Sequence, residues 1–267
     1  MDEHQKYLRF IKVCEDAVSD DKVFSSFKQN FNYTYMLEQH WNTTENIGFW
    51  VIDVLKSKYG NRLSTLPWEE YRKNDQVGGT RTHNYEVLKS HVTLNDYHFS
   101  HTTLRYILTS LDIIFHLSTK VEMLDVFRIA EIGGGYGGQC KILVDTFKFF
   151  HPRTRIQYHI FDLPPVIAMI QKYIERIGVD ADVKYHLSTT YTQTKEDTYD
   201  LCISTYTIGE IGLTEQENYV NDIILRCESG FMVWNHSPIN NTLQCNKKLD
   251  ISDESPLVSE GNKMVKF

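Results

Sequence analysis

The sequence predicts an α/β protein, and three features of the chain support this prediction. From about residue 120 onwards, short apolar runs alternate with segments of helical periodicity, which is typical of a mostly parallel sheet covered by helices. The first of these runs leads directly into a glycine-rich turn, and a helical segment follows the turn. The earlier part of the chain carries helical patterns without such alternation. We therefore expect a helical N-terminal region at 1–117 and a Rossmann-like domain at 118–267.

Length and composition fit a globular protein that needs neither disulfides nor a metal. The 267 residues are enough for one large domain, or for one domain with an appendage, and 41% of them are apolar. The five cysteines are scattered and form no CxxC pair, so no metal site is expected. The net charge of −7 and the lack of a long basic run disfavour a nucleic-acid partner.

The N-terminus and the apolar runs bear on where the protein resides. The first residues are polar and lack the apolar stretch of a signal peptide. No apolar run approaches the roughly 18 residues that are needed to cross a bilayer. We therefore expect a cytoplasmic protein without a membrane span, and a homo-oligomer is left open.

Helical spacing marks most of the N-terminal region. Apolar residues recur at the spacing of one helix face at Leu8, Ile11, Cys14 and Val18. The segment 61–100 is rich in turn formers and polar residues, so it is interpreted as loops. Between 102 and 117 the apolar residues again share one face, which predicts a helix before the sheet.

The elements of the sheet domain follow from its alternating pattern. The predicted strands are 127–132, 156–161, 183–187, 201–204 and 231–234, and 263–267 is a candidate for a last strand. The predicted helices are 141–150, 164–177 and 214–227.

The strongest local signal is the segment Glu131–Gly138, EIGGGYGG, between a predicted strand and a predicted helix. Glycines allow the backbone to turn tightly and to approach a ligand, and a helix N-terminus offers N–H groups. The spacing fits GxGxG, with Gly133, Gly135 and Gly137, and also the GxGxxG pattern of dinucleotide sites. Glu131 favours the first pattern, because its carboxylate would oppose a pyrophosphate but suits the cationic amino group of a methionine moiety.

The following strands end in residues that should share one edge of the sheet, where ligands of open α/β sheets bind. Asp162 ends the second strand and is placed to hold both hydroxyls of a ribose, which NAD and S-adenosylmethionine have in common. Leu187 and Ser188 end the third strand, near the expected adenine. The fourth strand ends at Ser204-Thr205-Tyr206, on the edge that should face the cofactor or the acceptor.

These segments resemble a known family. Residues 127–138, FRIAEIGGGYGG, look like motif I of class I S-adenosylmethionine-dependent methyltransferases. The chain also resembles the sugar O-methyltransferase family in 161–166, FDLPPV, and in a fourth-strand segment that runs from Asp200 to Glu210. A helix with Leu104-Arg105-Tyr106, after a loop with two glycines, adds to the likeness. The resemblance covers roughly residues 75–235, and the neighbours of Glu210 depart from the family's pattern.

The resemblance implies a seven-stranded methyltransferase sheet, with S-adenosylmethionine as cofactor and S-adenosylhomocysteine as product. It implies O-methylation of a sugar, nucleotide-linked or in a glycan, as in carbohydrate biosynthesis. Arg105 could bind the cofactor carboxylate or an acceptor phosphate, or anchor its helix by an ion pair. The residues expected at the cofactor are Glu131, Gly133, Gly135, Gly137, Asp162, Leu163, Leu187, Ser188, Ser204 and Arg105.

Methyl transfer to a sugar hydroxyl needs an aligned acceptor and a base, or a metal that acidifies the hydroxyl. Glu210, beyond the fourth strand, is the first candidate for acceptor binding or for the base. Its alternative role is that of a solvated carboxylate that caps the next helix. His236, after the fifth strand, is the second catalytic candidate, although a lone loop histidine is more often structural.

Three other functions compete with sugar O-methylation. One is N-methylation of an amino sugar or a small amine on the same scaffold. The second is a nicotinamide-dependent oxidoreductase, which would bind NAD. The third is a non-catalytic partner protein with a degenerate methyltransferase fold, against which the intact glycine turn argues.

Overall fold

A computed structural model describes residues 3–37, 44–121, 124–188, 198–235, 237–257 and 259–267. The chain forms two compact units. The first unit comprises residues 1–118, 135–152 and 168–180, and the second comprises 119–134, 153–167 and 181–267. His236, one of the two predicted catalytic residues, lies outside the described residues. Within the described ranges, no helix is both long enough and apolar enough to cross a membrane.

The first unit is mainly helical. Its two short antiparallel strands are β1 (His83–Asn84) and β2 (His98–Phe99). Two of the helices, His101–Val121 and Pro164–Ile177, have residues in both units. The helices are α1 (Glu3–Ser19), α2 (Asp21–Phe24), α3 (Phe31–Leu37), α4 (Thr44–Tyr59), α5 (Trp68–Gln76), α6 (His101–Val121), α7 (Gly138–Phe150) and α8 (Pro164–Ile177).

The predicted helix at the N-terminus is confirmed, but it buries a different face. Leu8 is 50% exposed and Val18 is 36% exposed, although both belong to the predicted apolar face. The buried face consists of Phe10, Val13, Cys14 and Ala17. Phe10 packs against Tyr33 with 5.5 Å between ring centroids. This aromatic contact comes from a distant part of the chain, so the periodicity of α1 alone could not select the face.

The prediction of loops throughout 61–100 is wrong at α5. This helix has a polar outer face on which Glu69 and Glu70 pair with Arg72 and Lys73 at 3.2 and 2.5 Å. Its inner face buries Trp68, Tyr71 and Asn74. The buried asparagine interrupts the apolar pattern that would have indicated a helix. By contrast, the helix predicted at 102–117 is confirmed as part of α6.

The second unit contains a seven-stranded sheet, which confirms the predicted α/β, Rossmann-like fold class. The strand order is β5-β4-β3-β6-β7-β9-β8. The first five strands in this order are parallel to one another, and β9 pairs antiparallel with both β7 and β8. The order reverses between β3 and β6, where open sheets bind ligands. The strands are β3 (Val126–Ile132), β4 (Arg155–Asp162), β5 (Asp182–Leu187), β6 (Tyr199–Thr205), β7 (Cys227–Trp234), β8 (Asp250–Asp253) and β9 (Lys263–Lys266).

One strand and two helices of the second unit were not predicted. All four residues of β8 are exposed, so this edge strand has no apolar alternation to reveal it. The unpredicted helices are α9 (Thr207–Glu210) and α11 (Asn241–Asn246), while α10 (Leu213–Asp222) is shorter than the predicted 214–227. Residues of these helices pack on the sheet in one apolar cluster, with Ile208, Val220 and Leu243 fully buried beside Met232.

Candidate functional site

The turn after β3 is built on glycine backbone that other residues could not adopt without strain. Gly133, Gly135 and Gly137 have φ values of 81°, 59° and 94°. The Gly133 amide donates to the Phe161 carbonyl at 2.9 Å. A Cβ at Gly133 would overlap the side chain of Thr207. Glycine is therefore required at this position both by the backbone conformation and by the approach of the segment after β6.

Glu131 is a buried carboxylate at the end of β3. Its side chain is 1% exposed, and the Tyr158 hydroxyl donates a hydrogen bond to Oε2 at 3.0 Å. Burial raises the pKa of Glu131 to about 8, the hydrogen bond from Tyr158 opposes this shift, and the charge of Asp162 adds to it. In the described part of the chain no basic side chain forms an ion pair with Glu131. The carboxylate thus suits a cationic group supplied by a ligand.

The ends of β4 and β5 meet beside this carboxylate. Asp162 and Leu187 are paired in register, and the Ser188 amide donates to the Asp162 carbonyl at 2.8 Å. The Leu163 amide donates to Asp162 Oδ1 at 2.7 Å, which orients the carboxylate. All four side chains are half-buried. The structure therefore brings together four of the predicted cofactor residues, with a carboxylate at the strand end.

Ser204 links the two strands at the reversal point. Its hydroxyl donates to the Ile132 carbonyl at 3.0 Å and accepts from the Ile208 amide at 3.2 Å. The side chain is fully buried. In this arrangement the hydroxyl stabilises the junction of β3, β6 and α9 rather than pointing at a ligand.

Glu210 ends α9 at the same edge and is exposed. Its Oε1 accepts a hydrogen bond from Asn235 Nδ2 at 2.6 Å. Asn235 is 3% exposed, and within the described residues its Oδ1 has no hydrogen-bond partner. The N-cap of α10 is Gly212, so Glu210 does not occupy the capping position that was its alternative role.

The sequence placed Tyr206 at this edge but gave no indication of its partner, Glu254. The Tyr206 hydroxyl donates to Glu254 Oε1, and Asn262 Nδ2 donates to Glu254 Oε2 at 2.8 Å. Glu254 is 8% exposed. Tyr206 follows β6 directly, which was a usable signal, whereas Glu254 lies after the unpredicted strand β8. No sequence pattern placed that acid near the other strand ends.

Three predicted residues lie in the first unit. Gly135 and Gly137 have the positive φ values given above, and Gly137 is the N-cap of α7. Arg105 lies in α6 and is half-buried. The cofactor roles expected of these three residues stay predictions.

Tyr136, within the glycine segment, belongs to a buried polar cluster of the first unit. Its hydroxyl accepts from Asn74 Nδ2 at 3.0 Å. The Lys28 ammonium lies 4.0 Å from the centroid of the Tyr136 ring and donates to the Asn74 carbonyl at 2.8 Å. These contacts hold the tyrosine of the turn, and the sequence offered no signal for the lysine or the asparagine.

No protein-family model and no curated protein sequence matches this chain. Among solved structures it is similar to MnmC2 from Aquifex aeolicus, at 16% identity and a TM-score of 0.42, over 60% of each chain. It is also similar to the N-methyltransferase NodS from Bradyrhizobium japonicum WM9, which was solved with S-adenosylhomocysteine. That match has 11% identity and a TM-score of 0.40, over 60% of this chain and 84% of the other.

A third similar structure is an S-adenosylmethionine-dependent methyltransferase from Aquifex aeolicus. The identity is 10% and the TM-score 0.41, over 57% of this chain and 87% of the other.

Proposed function

We propose that this chain binds S-adenosylmethionine at the carboxyl-end edge of its sheet and transfers the methyl group to a small acceptor. The observation that carries the proposal is Glu131, a buried carboxylate without a basic partner in the described residues, one residue from the glycine turn. A ligand that brings its own cation would relieve the cost of that burial. The amino group of a methionine moiety is such a cation.

The remaining residues of the edge fit the other parts of the same cofactor. Asp162 is suited to the two ribose hydroxyls, because its carboxylate is half-buried and oriented by the Leu163 amide. Leu187 and Ser188 are assigned to the adenine, and Leu163 to the cofactor beside Asp162. Gly133, Gly135 and Gly137 would let the backbone approach the ligand, and Arg105 is assigned to its carboxylate or to an acceptor phosphate.

When bound, S-adenosylmethionine supplies a methyl group on a sulfonium, which makes the methyl carbon an electrophile. The chain must then align an acceptor and remove its proton. A dinucleotide is less suited to this edge, since its pyrophosphate would face the Glu131 carboxylate. A nicotinamide-dependent reaction is therefore the weaker alternative.

The acceptor that we propose is a sugar hydroxyl, on the basis of the resemblance in FDLPPV and in the segment from Asp200 to Glu210. Glu210 is assigned to acceptor binding, because it is exposed at the correct edge and held by Asn235. His236, which lies outside the described residues, stays the second catalytic candidate. The alternative is N-methylation of an amino sugar or a small amine, which the same edge could accommodate.

The first test is calorimetric titration with S-adenosylhomocysteine and, separately, with NAD. We expect S-adenosylhomocysteine to bind and Glu131→Gln to weaken that binding. A matched control is Glu228→Gln, an exposed residue at the opposite end of β7, which should leave the affinity unchanged. Binding of NAD alone would overturn the cofactor assignment, and binding of neither ligand would favour a scaffold that has lost its cofactor.

The second test identifies the acceptor class. Transfer of isotope-labelled methyl from S-adenosylmethionine is measured with nucleotide-linked hexoses, free hexoses and their amino-sugar counterparts. Label on the hydroxyl sugars supports O-methylation. Label confined to the amino sugars would replace it with N-methylation, and label on neither would refute a sugar acceptor.

A further inference from the structure

We propose that Tyr206 is a catalytic proton relay for the acceptor hydroxyl, and that Glu254 is its positioning residue and the final proton acceptor. This proposal rests on the proposed function and assigns the base of the same reaction. It is carried by three observations on the described residues. These are the place of Tyr206 on the sheet, its backbone conformation and the burial of Glu254.

Tyr206 follows β6 directly, at the reversal of strand order where ligands of open sheets bind. Its amide donates to the Val233 carbonyl at 2.9 Å, so the residue is fixed between the ends of β6 and β7. Its side chain is half-buried, which leaves part of it accessible to a ligand. The acceptor must approach this edge if the cofactor occupies the ends of β3, β4 and β5.

Tyr206 is the one non-glycine residue with positive φ in the described chain, at 74° with ψ of −35°. Such a conformation costs on the order of 1–3 kcal/mol, and residues with this strain concentrate at functional sites. The strain is maintained by contacts at both ends of the residue, namely the Val233 carbonyl and the Glu254 carboxylate. A residue needed only to link β6 to α9 would be less strained as glycine.

Glu254 differs from Glu210 in a way that decides their roles. Glu254 is buried, and its two oxygens accept hydrogen bonds from Tyr206 and Asn262. Glu210 is exposed, so solvent competes for its carboxylate. Proton transfer through a held tyrosine to a buried carboxylate needs no reorganisation of water. We therefore assign Glu210 to acceptor binding and Glu254 to the proton.

A bond forms between the acceptor oxygen and the methyl carbon, while the carbon–sulfur bond breaks and leaves its electron pair on sulfur. The acceptor proton passes to the Tyr206 oxygen as the Tyr206 proton passes to Glu254 Oε1. The carboxylate ends protonated and releases the proton to solvent after the products leave.

The experiment uses Tyr206→Phe and Glu254→Gln in the full chain, with the sugar that takes up label most readily in the acceptor test. We expect kcat to fall roughly a hundredfold or more in each variant, with the Kd for S-adenosylhomocysteine changed less than about twofold. Asp253→Asn is the matched control, since this neighbouring carboxylate is 74% exposed and pairs with Lys263. It should retain full activity.

A second readout separates proton transfer from a structural defect. A 2-deoxy-2-fluoro analogue of the same sugar has more acidic hydroxyls, so it depends less on a base. The gap in kcat between wild type and Glu254→Gln should narrow with this analogue, whereas a distorted pocket would slow both sugars equally.

The outcomes distinguish the two proposals. If wild type methylates none of the sugars, the sugar acceptor is refuted and the relay falls with it. If wild type is active and both variants keep at least half of its kcat, the relay alone is wrong. Equal slowing with both sugars likewise overturns it and leaves Glu254 a structural residue.

Discussion

The two halves of the sheet's carboxyl edge are built in different ways. In the half formed by β3, β4 and β5, backbone amides of Gly133, Leu163 and Ser188 organise the strand ends. In the half formed by β6, β7 and β9, side chains from distant parts of the sequence meet. Glu210 and Asn235 are 25 residues apart, and Tyr206 and Glu254 are 48 apart. The proposed cofactor half thus depends on local turn chemistry, and the proposed acceptor half on long-range packing.

The largest loss of stability and of cofactor binding should come from Gly133→Ala, which changes the turn in the cofactor half. An alanine here must adopt a positive φ, which L-residues disfavour, and its Cβ overlaps the Thr207 side chain. Together the two effects should lower the free energy of unfolding by about 3 kcal/mol. We expect loss of measurable S-adenosylhomocysteine binding by calorimetry and a lower Tm. The double variant Gly133→Ala/Thr207→Gly removes the overlap but not the φ penalty, so it should recover part of the Tm. A Gly133→Ala protein with wild-type affinity would show that the turn is not part of the site.

The next effect is the pH dependence created by Glu131. Its pKa is raised to about 8, so below that pH the free protein holds a proton that must leave before a cation can bind. The affinity for S-adenosylhomocysteine should rise by up to about tenfold per pH unit between pH 6 and 7.5, with about one proton released. Glu131→Gln should weaken binding roughly ten- to hundredfold at pH 7.5 and remove this slope. Calorimetric titration in buffers of different ionisation enthalpy measures the number of protons released on binding.

The raised pKa of Glu131 should also make the stability of the free protein depend on pH. Glu131 ionises near its ordinary pKa when unfolded but only near pH 8 when folded, so its contribution to stability is lost as pH rises from about 4.5 to 8. The free energy of unfolding should therefore fall more steeply over this range in wild type than in Glu131→Gln, by at most about 1.4 kcal/mol per pH unit. Parallel slopes in urea titrations at several pH values would contradict the burial of an ionisable Glu131.

A smaller and more selective effect is expected in the acceptor half. Glu210→Gln and Asn235→Ala should each raise the acceptor KM by about tenfold, because each removes about the free energy of one hydrogen bond to a charged group. The Kd for S-adenosylhomocysteine should stay unchanged. Steady-state kinetics with the best sugar and calorimetry with the product give the two numbers. Weakened product binding in either variant would mean that the two halves are not separable.

The smallest effect should come from Ser204→Ala at the junction of the halves. Losing the bonds to the Ile132 carbonyl and the Ile208 amide should cost about 1–2 kcal/mol of stability. Cofactor and acceptor affinities should each change by only a few-fold, because no ligand contact is removed. A selective loss of cofactor binding at unchanged Tm would restore Ser204 as a direct cofactor residue.

Most of the sheet could be predicted, because its parallel strands are apolar runs or, in β5, an alternation of polar and apolar residues between turn signals. The carboxyl-edge position could also be predicted for Glu131, Asp162, Leu187 and Ser188, because each stands at the end of a parallel strand. The strand β8 could not be predicted, since its exposed residues have no apolar alternation. The helix α5 was missed because Asn74 occupies a position of its buried face.

By itself the sequence determined the order of the parallel strands and of the helices α7, α8 and α10 between them, the glycine turn, and the acids at the ends of β3 and β4. These features are local, since periodicity and turn residues act over a few positions. Only the tertiary structure decided which face of α1 is buried, that Glu210 meets Asn235, and that Glu254 meets Tyr206. The last contact depends on β9 lying between β7 and β8. That order is set by the antiparallel pairing of β9 with both strands, and no local pattern of residues records it.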